Sequence, residues 1–244
     1  MPFGAPDFSN IRKETLVHRL DDLAEASVRT FIPVVYDRLG DVVFFESFES
    51  GILWGNQTLA TSDAHFYIGY GNGINSPRAL VYEKPSNLNG YSEVRFFAPY
   101  YATKTVGYSI CVRPGRYFTY LLFGMGIANT VTSFSFDLRI YAADGKVEIT
   151  NGATRSVVGY VPPQSLSPYY WLWLKFVVNL ETGRWDRIMI HTLTFNAKNY
   201  QLYQTPANGL ALFRITVGEQ ANTPASDVTY FDNLIITINE PISG

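Results

Sequence analysis

Short apolar runs separated by turn-forming residues recur from residue 34 to the end of the chain, and they constrain the fold more than any other feature. Several runs alternate polar and apolar residues, as residues 93–96 and 146–149 do. Tight turns are indicated between runs at residues 144–145 and 181–183. This pattern is typical of half-buried strands that are joined by hairpins. We therefore predict an all-β antiparallel fold, either a sandwich or a barrel.

A hairpin is indicated at the start of this region, because the runs 34–36 and 42–45 flank the polar residues 37–41. Aromatic residues, which favour pleated and half-buried surfaces, are abundant, with 17 Phe and 17 Tyr. The further predicted strands cover residues 64–70, 78–83, 92–98, 106–113, 117–123, 134–142, 146–150, 156–161, 170–179, 184–192, 209–217 and 227–238.

The composition indicates a folded chain with a substantial core. Of its 244 residues, 47% are hydrophobic and only 16% are charged, where about 25% is usual. Disorder needs the opposite balance, so the composition excludes it. The length suits one large all-β domain, and no linker is evident after Pro33. We predict a sandwich domain over residues 34–244, preceded by a separate segment over residues 1–33.

That N-terminal segment is predicted to hold an extended arm followed by one short α-helix. Residues 1–9 contain two Pro and one Gly, and residues 10–28 then carry helical periodicity. Because an isolated helix of this length is marginal in water, its apolar stripe must be covered. Either the chain's own sandwich or a neighbouring subunit provides the cover. The predicted interface residues of the stripe are Leu16, Leu20, Leu23 and Val28.

Charge and cysteine content exclude several classes of partner and cross-link. The net charge is −2 with both signs scattered, so the chain lacks the basic patch that a nucleic acid requires. The single cysteine, Cys111, excludes an intramolecular disulfide and is predicted to be buried. No apolar run approaches the ~18 residues of a membrane span, and no stretch resembles a signal peptide. The expected location is a virion or cell-surface assembly reached by another route, or otherwise the cytoplasm.

Three segments resemble parts of concanavalin-A-like sandwiches and of carbohydrate-binding-module jelly rolls. Residues 44–51, followed by Trp54, are similar to the opening strand of such domains. Residues 228–237 resemble their closing strand, in which an aromatic residue and an Asp-Asn pair precede a β run. Residues 171–179 and 184–190 resemble the central hairpin. The resemblance implies an antiparallel jelly-roll sandwich over nearly all of the predicted strand region, but it does not cover the N-terminal segment.

The same resemblance implies a structural calcium ion. In such modules the opening acidic stretch and the closing aspartate often hold Ca²⁺, which would correspond here to Glu46, Glu49 and Asp232 with backbone carbonyls. Calcium takes six to eight hard oxygen ligands, and the first and last strands of a jelly roll lie side by side. The alternative is that Asp232 and Asn233 cap a turn while the two glutamates are solvated.

Recognisable catalytic motifs are missing from the chain. His18, His65 and His191 are isolated and lack metal-ligand spacing. Phosphate-binding loops and the G-x-S-x-G signature are absent. The acidic strand of concanavalin-like glucanases and the motifs of lyases with that fold are also not found. From these absences the sequence predicts that the chain is not an enzyme.

The function predicted first is therefore a non-catalytic structural or attachment component of a larger assembly, such as a virion decoration or surface protein, with protein subunits as partners. The alternative is a carbohydrate-binding module, and a glycan-active hydrolase or lyase is a third possibility. Exposed aromatic side chains can stack on sugar rings or anchor a protein interface, although partial burial is the alternative for each. The tyrosines predicted as glycan or partner contacts are Tyr91, Tyr100, Tyr101, Tyr169 and Tyr170.

Overall fold

The structure is a computed structural model, and part of the chain falls outside its description. The predicted arm, the helix at 10–28 with its interface residues, and the predicted boundary near residue 33 all lie outside the described residues. The described residues are 40–46, 48, 57–60, 65–70, 73, 77–84, 90–99, 102–129, 131–207, 212–221 and 227–242.

Within these ranges the chain is built from strands, with one 3-10 turn at Pro163–Leu166. In chain order the strands are β1 (Asp41–Glu46), β2 (Gln57–Ala60), β3 (His65–Tyr70), β4 (Arg78–Lys84), β5 (Gly90–Pro99), β6 (Thr105–Arg113), β7 (Tyr120–Ala128), β8 (Thr132–Tyr141), β9 (Lys146–Asn151), β10 (Thr154–Tyr160), β11 (Leu172–Asn179), β12 (Arg184–Ile190), β13 (Leu193–Asn196), β14 (Tyr203–Pro206), β15 (Leu212–Ala221) and β16 (Asp227–Ile238).

The strands form two antiparallel sheets. Sheet A has the order β13–β12–β11–β6–β16–β4–β3, and β1 also pairs with β16. Sheet B has the order β10–β9–β8–β7–β15–β5–β2, and β14 also pairs with β8. The sandwich is therefore the correct one of the two predicted architectures, and the first and last strands of the described region are neighbours, as expected.

Alternation along the strands directs one face of each sheet into a shared core. On β8, Phe134, Phe136, Leu138 and Ile140 are buried, and the residues between them face the other way. Trp185 of sheet A packs against Phe136 of sheet B, with their ring centroids 5.8 Å apart. The two sheets are thus joined by one continuous apolar cluster.

Most of the predicted strands are present with small shifts of their ends. The predicted hairpin of residues 171–179 and 184–190 is the pair β11–β12, and the turn before Lys146 has Gly145 at φ +70°. Three short strands were not predicted, namely β2, β13 and β14. Each has only four residues, which is too few for an alternating pattern to stand out.

Two further sequence expectations concern burial and membranes. Cys111 is buried with a free thiol, as predicted. Among the described residues, no helix has the length and apolar character needed to cross a membrane.

Candidate functional site: a charged groove on sheet B

The outward face of sheet B carries a groove of about 230 Å³, which we call the sheet-B groove. Its centre lies on β7, where Gly124 has no side chain to fill the space between the neighbouring strands. Asp137 of β8 lies beside Gly124 on one side, and Thr216 of β15 lies beside it on the other. Long polar side chains therefore form the walls of a trough whose floor at Gly124 is backbone.

Two glycines of β7 leave room for this arrangement. A Cβ atom at Gly124 would lie 3.1 Å from the Cβ of Asp137. A Cβ atom at Gly126 would lie 3.2 Å from the Nε of Arg214, whose guanidinium lies across this position. Larger residues here would push the wall side chains aside and fill the groove.

The groove and the strands beside it carry a positive local charge, although the whole chain has a net charge of −2. Among the described residues, the charged side chains that line the groove or lie on β9 and β10 beside it are five cations and three carboxylates. Opposite-charge ligands are attracted to clefts lined mainly by one sign of charge. The cations are Arg95, Arg139, Lys146, Arg155 and Arg214, and the carboxylates are Glu93, Asp137 and Glu148.

Ion pairs hold the charged side chains of the walls in place. Asp137 accepts from Nη2 of Arg155, and its Oδ1 lies 4.0 Å from Nε of Arg139. Glu93 pairs with Nη2 of Arg95. Within the part of the chain that the structure describes, the Nε of Arg95, the Nε of Arg139 and the Nη1 of Arg155 donate no hydrogen bond. These three nitrogens are buried, so they do not present their hydrogens to a ligand in this arrangement.

Two tyrosines stand at one end of the groove, each paired with a cation. The rings of Tyr120 and Tyr141 have centroids 5.4 Å apart and planes inclined by 52°. The Cζ of Arg139 lies 4.6 Å from the centre of the Tyr120 ring, and the Nζ of Lys146 lies 4.2 Å from that of Tyr141. Such contacts hold the rings in place while leaving part of each exposed.

A hydrogen-bonded triad fixes the protonation states beside these rings. The hydroxyl of Tyr141 donates to Oε2 of Glu148 over 2.7 Å, and Lys146 Nζ lies 3.0 Å from Oε1. Burial raises the pKa of Tyr141, and its hydrogen bond to Glu148 raises that pKa further. Burial alone would raise the pKa of Glu148, but the bonds from Tyr141 and Lys146 lower it overall. At neutral pH the phenol is therefore a proton donor beside an ionised carboxylate.

The predicted calcium residues lie only partly within the described region. Asp232 is buried, and its Oδ1 accepts a hydrogen bond from the backbone N–H of Asn233 over 2.7 Å. The backbone of Glu46 is opposite Leu234, two residues from Asp232, but the side chain of Glu46 and all of Glu49 lie outside the description. Among the described residues, no group of three or more His, Cys, Asp or Glu side chains is arranged to hold a metal. The calcium site stays a prediction.

Of the five tyrosines predicted as contacts, only two have side chains within the described residues. Tyr169 and Tyr170 are exposed, at 72% and 64% of their surface. Tyr91 lies on β5 opposite Gln220, with its side chain outside the description, and residues 100 and 101 are not described. The structure does not bring Tyr169 and Tyr170 into the groove itself.

Sequence reasoning missed the groove. The alternating stretches 93–96 and 146–149 indicate only half-buried strands, although their polar members line this face or lie beside it. Finding the site needs the order β9–β8–β7–β15–β5, which brings together residues more than one hundred positions apart. The available signal was the recurrence of arginine and acidic residues at outward positions on several strands.

No family model matches the chain, and no curated protein matches its sequence. Three solved structures are similar to it. An endo-β-1,4-glucuronan lyase from the fungus Trichoderma reesei is 11% identical with a TM-score of 0.55, and the match covers 81% of this chain and 96% of the lyase chain. A β-glucanase from Bacillus licheniformis is 12% identical with a TM-score of 0.51, and the match covers 82% of this chain and 99% of the glucanase chain. Cellulose induced protein Cip1 is 9% identical with a TM-score of 0.50, and the match covers 82% of this chain and 100% of the Cip1 chain.

These likenesses show the fold, which is the concanavalin-like jelly-roll β-sandwich that the sequence resembles. They also correct one prediction. The inference from absent motifs that this chain is not an enzyme is wrong, because the same fold is found in a lyase and in a glucanase. Catalytic groups in a sandwich converge from separate strands, so short motifs do not have to reveal them.

Proposed function

We propose that this chain binds an anionic polysaccharide, a chain containing uronic acid units, in the sheet-B groove. The observation that carries the proposal is the set of three arginines, Arg95, Arg139 and Arg214, that line the groove around Gly124. Guanidinium groups bind carboxylates through paired, charge-assisted hydrogen bonds. A repeating carboxylate matches a groove with repeated guanidinium groups along its walls.

The remaining wall groups suit the rest of a sugar unit. The ring faces of Tyr120 and Tyr141 can pack against the C–H groups of a sugar ring. Glu93 and Asp137 are acceptors for sugar hydroxyls and orient them against the neighbouring arginines. The similar structures named for glucuronan and β-glucan support the predicted glycan-binding alternative more strongly than the structural or attachment role.

A second candidate function is eliminative cleavage of the bound uronate chain. In that reaction a basic side chain takes the proton from the carbon beside the carboxylate, and the C–H electron pair forms a carbon–carbon double bond. The glycosidic C–O bond breaks as the leaving oxygen takes a proton from an acidic side chain. The groove has arginines to stabilise the charge that develops on the carboxylate and tyrosines to transfer protons. The raised pKa of Tyr141 keeps its phenol protonated at neutral pH.

Cleavage and binding are separated by one assay. The unsaturated product of elimination absorbs ultraviolet light, and the intact polymer does not. Growth of that absorbance when the protein is mixed with polyglucuronate supports the lyase. A flat absorbance trace together with measurable binding supports a purely binding role.

Neutralising one groove arginine tests the proposed function. We expect Arg139→Gln to weaken polyglucuronate binding by about tenfold to a hundredfold, because a hydrogen bond to a charged group contributes ~1.5–3 kcal/mol. Isothermal titration calorimetry at fixed ionic strength measures the Kd. The matched control is Arg184→Gln, which removes the same charge from an exposed arginine of β12 on sheet A.

The control separates local contacts from overall charge. If the site is the sheet-B groove, Arg184→Gln should bind within about twofold of the parent chain, since distant exposed charges are largely screened. Equal losses for the two variants would mean that net charge, and not the groove, governs binding. That outcome would refute the assignment of this site.

A further inference from the structure

Four side chains form an exposed surface at one end of the sandwich, beyond the groove, and we call it the shelf. It consists of Arg116, Tyr117, Tyr169 and Tyr170. The three tyrosines are 43%, 72% and 64% exposed, respectively. Arg116 and Tyr117 lie in the connection between β6 and β7, and the other two lie in the connection between β10 and β11. Both connections pass from one sheet to the other at this end.

The shelf residues are held in place. Nη2 of Arg116 donates to the hydroxyl of Tyr169 over 2.8 Å, and its Cζ lies 5.7 Å from the centre of that ring. The backbone N–H of Tyr170 donates to the carbonyl of Ser167 over 3.2 Å. Exposed aromatic side chains that are already ordered lose little conformational entropy when a ligand binds.

A buried carboxylate fixes the loop beneath the shelf. The two carboxylate oxygens of Asp227 accept hydrogen bonds from the backbone N–H groups of Arg116, at 2.8 Å, and Tyr117, at 2.6 Å. The neighbouring Gly115 donates to Oγ1 of Thr229 over 2.8 Å, and a Cβ atom at this glycine would lie 2.3 Å from Oδ1 of Asp227. A side chain at Gly115 would displace the Asp227 carboxylate, and the hydrogen bonds from three successive backbone N–H groups define the path of the loop.

The groove leads toward this shelf. Its floor follows β7 from Gly124 through Leu122 to Tyr120 at the end. Tyr117 precedes Tyr120 by three residues, so their backbones are within about 10 Å of each other. A chain lying in the trough along β7 therefore leaves it at Tyr120, in the direction of the shelf.

We propose that an anionic glycan longer than the groove continues past Tyr120 onto the shelf. There Tyr169 and Tyr170 pack against its sugar rings, and Arg116 binds a carboxylate. Asp227, the carboxylate nearest to the loop, is buried and engaged by backbone N–H groups, so it does not oppose an anion at Arg116. This inference rests on the proposed function and makes the ligand a long polymer, with affinity that increases with chain length.

The test combines shelf variants with oligouronates of graded length, from disaccharide to dodecasaccharide. For the double variant Tyr169→Ala with Tyr170→Ala, we expect about a tenfold loss of affinity for the longest oligomer, because aromatic contacts contribute ~0.5–1.5 kcal/mol each. The disaccharide should bind as it does to the parent chain. The matched control is Tyr70→Ala on edge strand β3, an exposed tyrosine that also pairs with an arginine, Arg78.

The outcomes distinguish the shelf from the groove. A loss confined to long oligomers and absent from Tyr70→Ala supports the shelf. Unchanged affinity at every length, as expected if the shelf contacts a protein instead, overturns the inference, and so does an equal loss at every length. If Arg139→Gln weakens binding at all lengths in the same series, the proposed function stands even when the shelf fails. If Arg139→Gln changes nothing, the proposed function fails, and the shelf inference fails with it.

Discussion

Replacing Trp185 with alanine is expected to lower the free energy of unfolding by about 3–5 kcal/mol, the usual cost of truncating a buried tryptophan. Trp185 is 1% exposed and contacts Phe176 of its own sheet and Phe136 of the opposite sheet, at 5.4 and 5.8 Å between ring centroids. Its Nε1 also donates to the carbonyl of Thr150 over 2.8 Å. The truncation removes ring contacts and a hydrogen bond that join the two sheets. Urea denaturation followed by fluorescence or circular dichroism measures the change.

A graded control checks the cause of that loss. Trp185→Phe keeps an aromatic ring but leaves the Thr150 carbonyl without this donor, so its cost should be smaller, at about 1–3 kcal/mol. An alanine variant that unfolds at the same urea concentration as the parent chain would show that Trp185 does not join the sheets in solution.

Replacing Glu240 with glutamine should cost about 3–5 kcal/mol, because it removes one partner of a buried ionic cluster. Glu240 Oε1 lies 2.8 Å from Lys175 Nζ, and Oε2 accepts from Arg187 Nη2 over 3.3 Å. Arg187 also donates to the carbonyl of Pro241 over 2.7 Å, so both cations hold the segment after β16 against sheet A. Thermal and urea denaturation measure the loss.

The matched control is Glu181→Gln, which breaks an exposed pair. Glu181 lies 2.9 Å from Lys104, and both side chains are largely solvated. Exposed pairs contribute about 0–1 kcal/mol, so this variant should be nearly as stable as the parent chain. Similar losses for the two glutamine variants would contradict the view that burial makes the Glu240 cluster important.

The sequence predicted the strands because their signal is local. Alternation over four or more residues defines β5 and β9, and Asp144 with Gly145 defines the turn between β8 and β9. The short strands β13 and β14 each pair with one longer strand, β12 and β8 respectively. Their residues are exposed or half-buried, and four residues are too few for an alternation of polar and apolar residues to stand out. Their position follows from pairing with the longer strands.

The candidate site could not be predicted in the same way, because it depends on strand order. Glu93 and Arg95 face the same groove as Asp137 and Arg214 only because β15 pairs with both β5 and β7. The sequence around any one of these residues does not indicate which other residues lie beside it in the groove. Catalytic motifs are local in sequence, and catalytic groups that converge from separate strands leave no such motif, so the absence of motifs does not exclude enzymatic function.

Glu240 illustrates the same limit for stability. In the sequence it is an acidic residue near the chain end, where solvated side chains are usual. In the structure it is 2% exposed and is shared by cations from β11 and β12. Burial of a charge depends on partners that converge from separate strands, and the residues next to it in sequence do not indicate those partners.

The central claim, that the sheet-B groove recognises the carboxylates of a glycan, is tested most directly with one polymer in two forms. Polyglucuronate and the same polymer after reduction of its carboxylates to hydroxymethyl groups have the same backbone and differ in charge. Isothermal titration of the unmodified chain measures its affinity for each. We predict binding of the charged polymer that weakens as salt is added, and at least about a tenfold loss after reduction. Equal affinity for the two forms would contradict the account.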